Sequence, residues 1–326
     1  MNVTGFIAHL QKSFAGDFLS PAGYFFVGWV ATYALIGSAL YIFEARRFRK
    51  TPITLANCFR FCFPKKMFWS RSARLDLAIL IFNHYLFFFL VFSVFGKGLG
   101  ETDVANRIAK GAATLWGFRI PVSNGLIVDV VYTTLVLLIA DLGWTVQHIL
   151  FHKVPRLWEF HKVHHSAEYL SLFTIARLHP LDALSQGWAS AVSVGIFMGL
   201  VKIVLGYQPS IVLFMNVSVA MAAFRVFGIF RHSPIWISFG PKLSRILCSP
   251  AMHHIHHGVE KKHWDKNFST VFSVWDWIFG TLYIPTEREE MRFGIPPHPS
   301  KKYDGFWACM LHPFLPDRSG TLPKQG

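Results

Sequence analysis

Apolar residues in this chain fall in long runs, without the period-two alternation of strands or the one-sided stripes of surface helices. A helix that crosses a bilayer needs about 20 consecutive, mostly apolar residues. Five runs qualify: Tyr24–Phe43, Leu75–Phe95, Leu126–Val146, Leu184–Leu205 and Ile211–Phe230. The first ends against Arg46, Arg47, Arg49 and Lys50, and the second follows Lys65, Lys66, Arg71 and Arg74. The stretch between them, Glu44 to Arg74, carries nine Lys and Arg, whereas Lys97–Gly125 carries four. Since basic residues concentrate in cytoplasmic loops, Glu44–Arg74 is assigned to the cytoplasm and Lys97–Gly125 to the outer side. Within the inner stretch, Ile53–Trp69 mixes aromatics with Arg60, Lys65 and Lys66 and reads as a segment lying on the membrane surface. Gly206-Tyr207-Gln208-Pro209-Ser210 is a short turn joining the last two runs.

The pattern predicts an all-α, polytopic membrane helical bundle of four to five spans with a cytosolic helical cap. Residues 1–125 form N-terminal spans and the interfacial segment, 126–285 a central domain, and 286–326 a proline-rich, polar C-terminal tail. There is no internal repeat and no soluble second domain.

Composition agrees. Of 326 residues 52% are hydrophobic and 15% charged, whereas soluble domains carry about a quarter charged residues. The net charge of +14 does not point to nucleic acid, because the basic residues sit beside apolar runs, where they meet anionic headgroups. Cys58, Cys62, Cys248 and Cys309 lack zinc-ribbon spacing and read as structural thiols of a reducing compartment. Met1–Gly16 lacks the basic start and apolar stretch of a cleavable signal peptide.

The chemistry lies in the histidines. His148 and His152 are four residues apart; His161, His164 and His165 form H-x-x-H-H, and His253, His256 and His257 repeat it. Residues three and four apart share a helix face, so each cluster can aim its rings at one point. Imidazole is the commonest neutral nitrogen ligand for transition metals, and eight of them call for two ions, since one tetrahedral site uses four. With the five spans as placed, every cluster falls on the cytoplasmic face. His232, emerging from the fifth span, is a candidate ninth ligand. His179, in Arg177-Leu178-His179-Pro180, is a candidate ligand, outer-shell group or substrate contact. His254 lies inside the third cluster with its role open, and the isolated His9, His84, His298 and His312 are not assigned to metal. Asp141 lies on the face of His148, and a carboxylate there needs a partner. It either bonds a neighbouring element or accepts the ring N–H of a metal-binding histidine and so fixes that ring's tautomer. Cysteine is absent from the clusters, and neither H-E-x-x-H nor a glutamate-rich di-iron motif occurs. Ligand type alone leaves iron, zinc and copper open.

The three histidine clusters, with Trp158 to Ser166, Arg177-Leu178-His179-Pro180, Phe230-Arg231-His232-Ser233, Asn267-Phe268 and Trp275 to Tyr283, resemble the fatty acid hydroxylase superfamily, which includes sterol desaturases. The resemblance covers about Ile127 to Pro285. Pro234 departs from it, because many relatives have asparagine there. It implies an oxidoreductase, a membrane monooxygenase whose two irons, held by the eight clustered histidines, use dioxygen and two external electrons to hydroxylate a lipid C–H bond. A lipid or sterol desaturase is the alternative outcome of the same site. A metal transporter or sensor, the reading from another class, would instead string histidines and carboxylates along the spans. The chain has no nucleotide fingerprint, haem-attachment motif or ferredoxin-type cysteine run, so electrons are expected from a separate ferredoxin or cytochrome. Lys153, Arg156, Lys162, Lys261 and Lys262 would face that donor or lipid phosphates. Trp188, Ala189, Gly195, Phe197 and Gly199 of the fourth span would either line an apolar substrate route or pack against other helices. The expected location is a multi-pass protein of a bacterial inner membrane with the histidines cytoplasmic, the alternative being the endoplasmic reticulum.

Overall fold

A computed structural model of the chain describes residues 19–20, 27–49, 51–87, 101–112, 120–214, 217–295 and 302–315. Its helices are α1 (Val27–Glu44), α2 (Leu55–Cys62), α3 (Lys66–Trp69), α4 (Arg71–Ile81), α5 (Glu101–Ala112), α6 (Leu126–Lys153), α7 (Pro155–His165), α8 (Pro180–Leu205), α9 (Val219–Arg231), α10 (Gly240–Leu243), α11 (Pro250–His256), α12 (Val274–Ile278) and α13 (Phe306–Leu311). The strands β1 (Leu213–Phe214) and β2 (Val217–Ser218) make one small antiparallel pair. Among the described residues, three helices are long and apolar enough to cross a membrane: Val27–Arg47, Leu126–Lys153 and Pro180–Leu205.

The two longest run antiparallel at close range. Gly143 of α6 permits this, because a Cβ there would lie 2.5 Å from Ser193 Oγ and 2.6 Å from the Ala189 carbonyl of α8. Trp144 Nε1 donates to the Gln186 carbonyl (2.9 Å) near one end, and Tyr132 stacks on Phe197 toward the other. α8 opens at Pro180, in the first position where a missing N–H costs nothing, and stops at Gly206, whose φ of 77° suits glycine. A second core joins α1 to α9 through Trp29, Tyr33, Cys62, Met67, Leu172, Ile229 and Phe230. All four cysteines are buried free thiols.

The fifth apolar run departs from the expectation, and other segments gain detail. Ile211–Phe230 is not one helix: Ser210 N–H donates to Asp129 Oδ1 and Val212 N–H to Thr133 Oγ1 of α6, which turns the chain into the β1–β2 hairpin. The remaining α9 has 13 residues and rises about 20 Å, short of a hydrocarbon core of about 30 Å. The expected outer loop holds α5, laid against α8, where a Cβ on Gly199 would meet Ile108 at 2.7 Å. The second run is helical as α4 and continues in π conformation over Phe82–Phe87, its end at 88–95 lying outside the described residues. The polar tail folds back, burying Tyr303, Cys309 and Met310 against Leu75, Ile79 and Val163. The interfacial segment is two short helices, α2 and α3, with Leu55, Phe59 and Trp69 exposed.

Candidate metal centre

His148 and His152 stand on the last turns of α6. Pro155 breaks the chain there and starts α7, which carries His161, His164 and His165. His232 caps the end of α9, and α11 supplies His253 and His256 with His257 at its C-cap. All of them therefore meet where α6 ends and α8 begins. Their donor nitrogens form two groups, each with all atoms within 4.8 Å of one another: His148, His152, His161, His165 and His256 in one, and His164, His232, His253 and His257 in the other. Both H-x-x-H-H runs are split between groups, because residues four apart on a helix are offset by about 40° while the third points to the other side. His161 and His165 face one group and His164 the other; His253 and His257 face the second and His256 the first.

The spacing suits metal ions. Two ligands held about 2.0–2.1 Å from one ion lie about 2.9 Å apart at a right angle and about 3.4 Å apart at the tetrahedral angle. The Nε2 atoms of His148 and His161 are 3.0 Å apart, and those of His152 and His165 3.1 Å. In the second group His253–His232 is 2.9 Å, His257–His253 3.1 Å and His232–His164 3.3 Å. His256 Nε2 is buried and has no hydrogen-bond partner, the condition of a ligand atom awaiting an ion. The donor set thus fits two nitrogen-preferring ions.

Burial, then the neighbouring histidines, push the rings of His164, His165, His253 and His257 well below the usual imidazole range. Burial holds His256 at about 3. These rings are neutral, as coordination requires.

Several of the outer nitrogens have partners that fix ring orientation, whereas Nδ1 of His232, His253 and His257 is buried without one. His161 Nδ1 donates to Asp182 Oδ2 at 2.8 Å, both side chains being almost fully buried. His148 Nδ1 faces the Phe268 carbonyl and His256 Nδ1 the Lys266 carbonyl, each at 2.8 Å. His164 Nδ1 lies 3.3 Å from the Arg177 carbonyl, and His152 Nδ1 3.7 Å from Asp265 Oδ1. The 265–268 loop is itself built. Asn267, at φ 57°, bonds Met252 and Tyr283. Asp276 accepts from Phe268 N–H, Ser269 and Thr281. Arg177 donates to the Val163 carbonyl, Ser166 Oγ and Asp76 Oδ1.

Asp141 accepts three backbone N–H groups, from Thr270, Val271 and Phe272, at 2.7–3.1 Å. It thus holds the 270–272 backbone rather than a histidine ring. His179 lies in neither group: its Nδ1 accepts from Leu181 N–H at the start of α8 and its Nε2 faces the Met310 carbonyl. His254 is buried between Trp236 and Phe293, again outside both groups. His84 and His312 pack beside Tyr85 and Tyr303; His9 and His298 lie outside the described residues.

Sequence reasoning missed Asp182, although an acid at the mouth of an apolar run carried the same signal as Asp141. The carbonyl partners have no side-chain signal at all. Of the five candidate cations, Lys153 pairs with Asp265, Lys162 with Glu159 and Lys262 with Glu289.

A cavity of about 260 Å³ opens on both groups, touching His148 and His161 of the first and His164, His232 and His253 of the second. It runs down between the helices past Trp144, Ala140 and Val136 of α6, about 18 Å at 1.5 Å per residue. From α8 its lining is Gln186, Ser190 and Val194, and does not include Trp188, Ala189, Gly195, Phe197 or Gly199. Ala189, Phe197 and Gly199 meet Gly143, Tyr132 and α5 instead.

Residues 133–281 match the fatty acid hydroxylase family. The chain is 29% identical over 179 residues to the ornithine lipid hydroxylase OlsE of Rhizobium tropici, covering 55% of this chain and 49% of that protein. It is 30% identical over 174 residues to alkylglycerol monooxygenase of Homo sapiens, covering 53% and 35%. To a cholesterol 25-hydroxylase-like protein of Danio rerio it is 29% identical over 159 residues, covering 45% and 54%. These matches span about half or less of the first two relatives' own lengths. No solved structure gives a significant match.

Proposed function

We propose that this chain, whose residues 133–281 match the fatty acid hydroxylase family, is a membrane-bound di-iron oxygenase that hydroxylates a lipid C–H bond. The observation that carries the reading is the pair of histidine groups opening on a cavity between helices long enough to span a bilayer. His148, His152, His161, His165 and His256 would hold one ion, and His164, His232, His253 and His257 the other. When bound, two irons supply reduction of dioxygen coupled to oxidation of an unactivated C–H bond.

The chain's own residues do the rest. Asp182 and the Phe268 and Lys266 carbonyls hold His161, His148 and His256 with Nδ1 protonated and Nε2 free to coordinate. Val136, Ala140, Val194 and Met221 give the lower cavity an apolar wall, which receives a hydrocarbon chain and keeps water from the reacting carbon. Hydroxylation consumes dioxygen, two electrons and two protons and releases the alcohol and one water. The electrons are assigned to a separate ferredoxin or cytochrome. The location proposed is a bacterial inner membrane, with the histidine face toward the cytoplasm, since α2 and α3 with Arg60, Lys65 and Lys66 belong to the basic inner stretch.

The test is lipid mass spectrometry of cells expressing the wild type or His164→Ala under 18O2. A lipid heavier by one labelled oxygen, present with the wild type alone, is expected. A lipid lighter by two hydrogens would replace hydroxylation with desaturation, and a labelled product unaffected by His164→Ala would overturn the site.

A further inference from the structure

We infer that an apolar edge of the expected cytosolic cap is sunk into the bilayer leaflet on the histidine side, as a membrane-embedded element that does not span. The edge consists of Leu243 in α10, Ile246 just beyond it, Trp277 and Ile278 in α12, and Phe279 at the α12 C-cap. The inference rests on α6 as a membrane span and is independent of the reaction. All five side chains are between 44% and 70% exposed. Large apolar groups gathered on a surface in this way mark an interaction site. Two hydrogen bonds tie α10 and α12 into one surface. Ser273 Oγ donates to the Ser244 carbonyl at 2.7 Å, and Cys248 N–H donates to the Val271 carbonyl at 2.8 Å. Asp276 turns the other side of α12 inward, where it is fully buried.

α6 fixes the depth. Its apolar run Leu126–Val146 rises about 30 Å, the thickness of the hydrocarbon core. Asp141 then lies about 7.5 Å inside the boundary at Val146, five residues at 1.5 Å each. Its carboxylate holds the N–H groups of Thr270, Val271 and Phe272 at 2.7–3.1 Å, which sets that segment at the same level. α12 begins two residues later. An interfacial element buries its apolar face about 5–10 Å into the headgroup–acyl boundary, and the edge stands at that level. Irregular backbone at membrane depth must have its polar groups satisfied by protein. Here five successive N–H groups are accepted by two buried carboxylates, Phe268 and Ser269 by Asp276 and the next three by Asp141. The side chains agree. Trp277 suits the aromatic belt at a membrane surface. Lys242 and Arg245 stand exposed beside Leu243 and Ile246, with stems long enough to carry their charge up to lipid phosphates. Lipid is the occupant favoured over a second copy of the chain, because the edge is fastened to a spanning helix at a depth where lipid surrounds it.

Fluorescence quenching of the full chain in phosphatidylcholine nanodiscs tests this. The four native cysteines are buried, so a bimane label goes to an introduced one, with labelled wild type as the blank. Ile278→Cys probes α12, and Ile246→Cys repeats the measurement on the neighbouring element. Val131→Cys, exposed on α6, is the lipid-facing reference, and Arg156→Cys, exposed beyond the end of α6, is the water-facing one. The quenchers are iodide in the water and a phosphatidylcholine with a nitroxide high on its acyl chain. At positions 278 and 246, iodide quenching should fall about fivefold or more below that at position 156, as expected of a site below the headgroups. The nitroxide lipid should quench both as strongly as at position 131. Iodide quenching equal to that at position 156 would put the edge in water and overturn the inference. Shielding from both quenchers would also overturn it: in discs holding one chain it would show the edge covered by its own chain, and only in discs holding several it would assign the edge to a second copy. Access of iodide to position 131 would overturn the span, and the inference with it, while leaving the proposed reaction untouched.

Discussion

Asp182→Asn tests the carboxylate that hydrogen-bonds the metal-facing ring of His161. The replacement keeps the shape and removes the charge. Asp182 now offers one oxygen to Gln147 Nε2 at 3.0 Å and the other to His161 Nδ1 at 2.8 Å. Asparagine has one oxygen and one NH2 in those places, so whichever way it sits, one of the two donors faces another donor. Hydrogen bonds to a charged group are worth about 1.5–3 kcal/mol, or about 10- to 150-fold in an equilibrium. Loss of an outer partner of a metal-bound histidine costs about 10- to 100-fold in affinity. The loss should fall on one ion only, because the second group contains no direct neighbour of Asp182. Titration of metal-free protein with iron(II), followed by isothermal calorimetry, should show two sites in the wild type. In Asp182→Asn one site should weaken by about 10- to 100-fold and the other by less than threefold. Two unaltered sites would refute the reasoning, and equal weakening of both would refute the division of histidines into two groups.

Three further outcomes follow from the geometry. His254→Ala should retain both ions whereas its neighbour His253→Ala loses one, as metal analysis will show, because His254 faces Trp236 and Phe293. Asp141→Asn should lower thermal stability, by about 1.5–3 kcal/mol for the weakened acceptor of three backbone N–H groups, while metal content in the folded fraction stays unchanged. Gly143→Val should force α6 and α8 apart at the Ala189 carbonyl and cost about 1–3 kcal/mol or more, read as a drop in melting temperature with no change in metal stoichiometry of the protein that folds.

What the sequence reveals here follows from where information is written in side chains. The long apolar runs disclose α1, α6 and α8, since crossing hydrocarbon imposes length and composition. The histidine clusters stand out because helical spacing places them together without help from the rest of the fold. The sorting of those histidines between two groups depends on how α6, α7, α9 and α11 converge, which no single segment records. The carbonyls of Lys266, Phe268 and Arg177 are carried by every residue type, so only the folded loop reveals them. Asp182 differs, for its position two residues after Pro180 at the head of an apolar run was a readable signal. α9 misled because its apolar run is continuous, while the hydrogen bonds to Asp129 and Thr133 that bend the chain are tertiary.

The most direct test of a two-ion centre is the iron content of purified protein reconstituted without oxygen, compared among the wild type, His256→Ala and His253→Ala. Two irons per chain in the wild type and about one in each variant is the expected result. One iron per wild-type chain, or loss of both on a single substitution in either group, would contradict two separate five- and four-histidine sites.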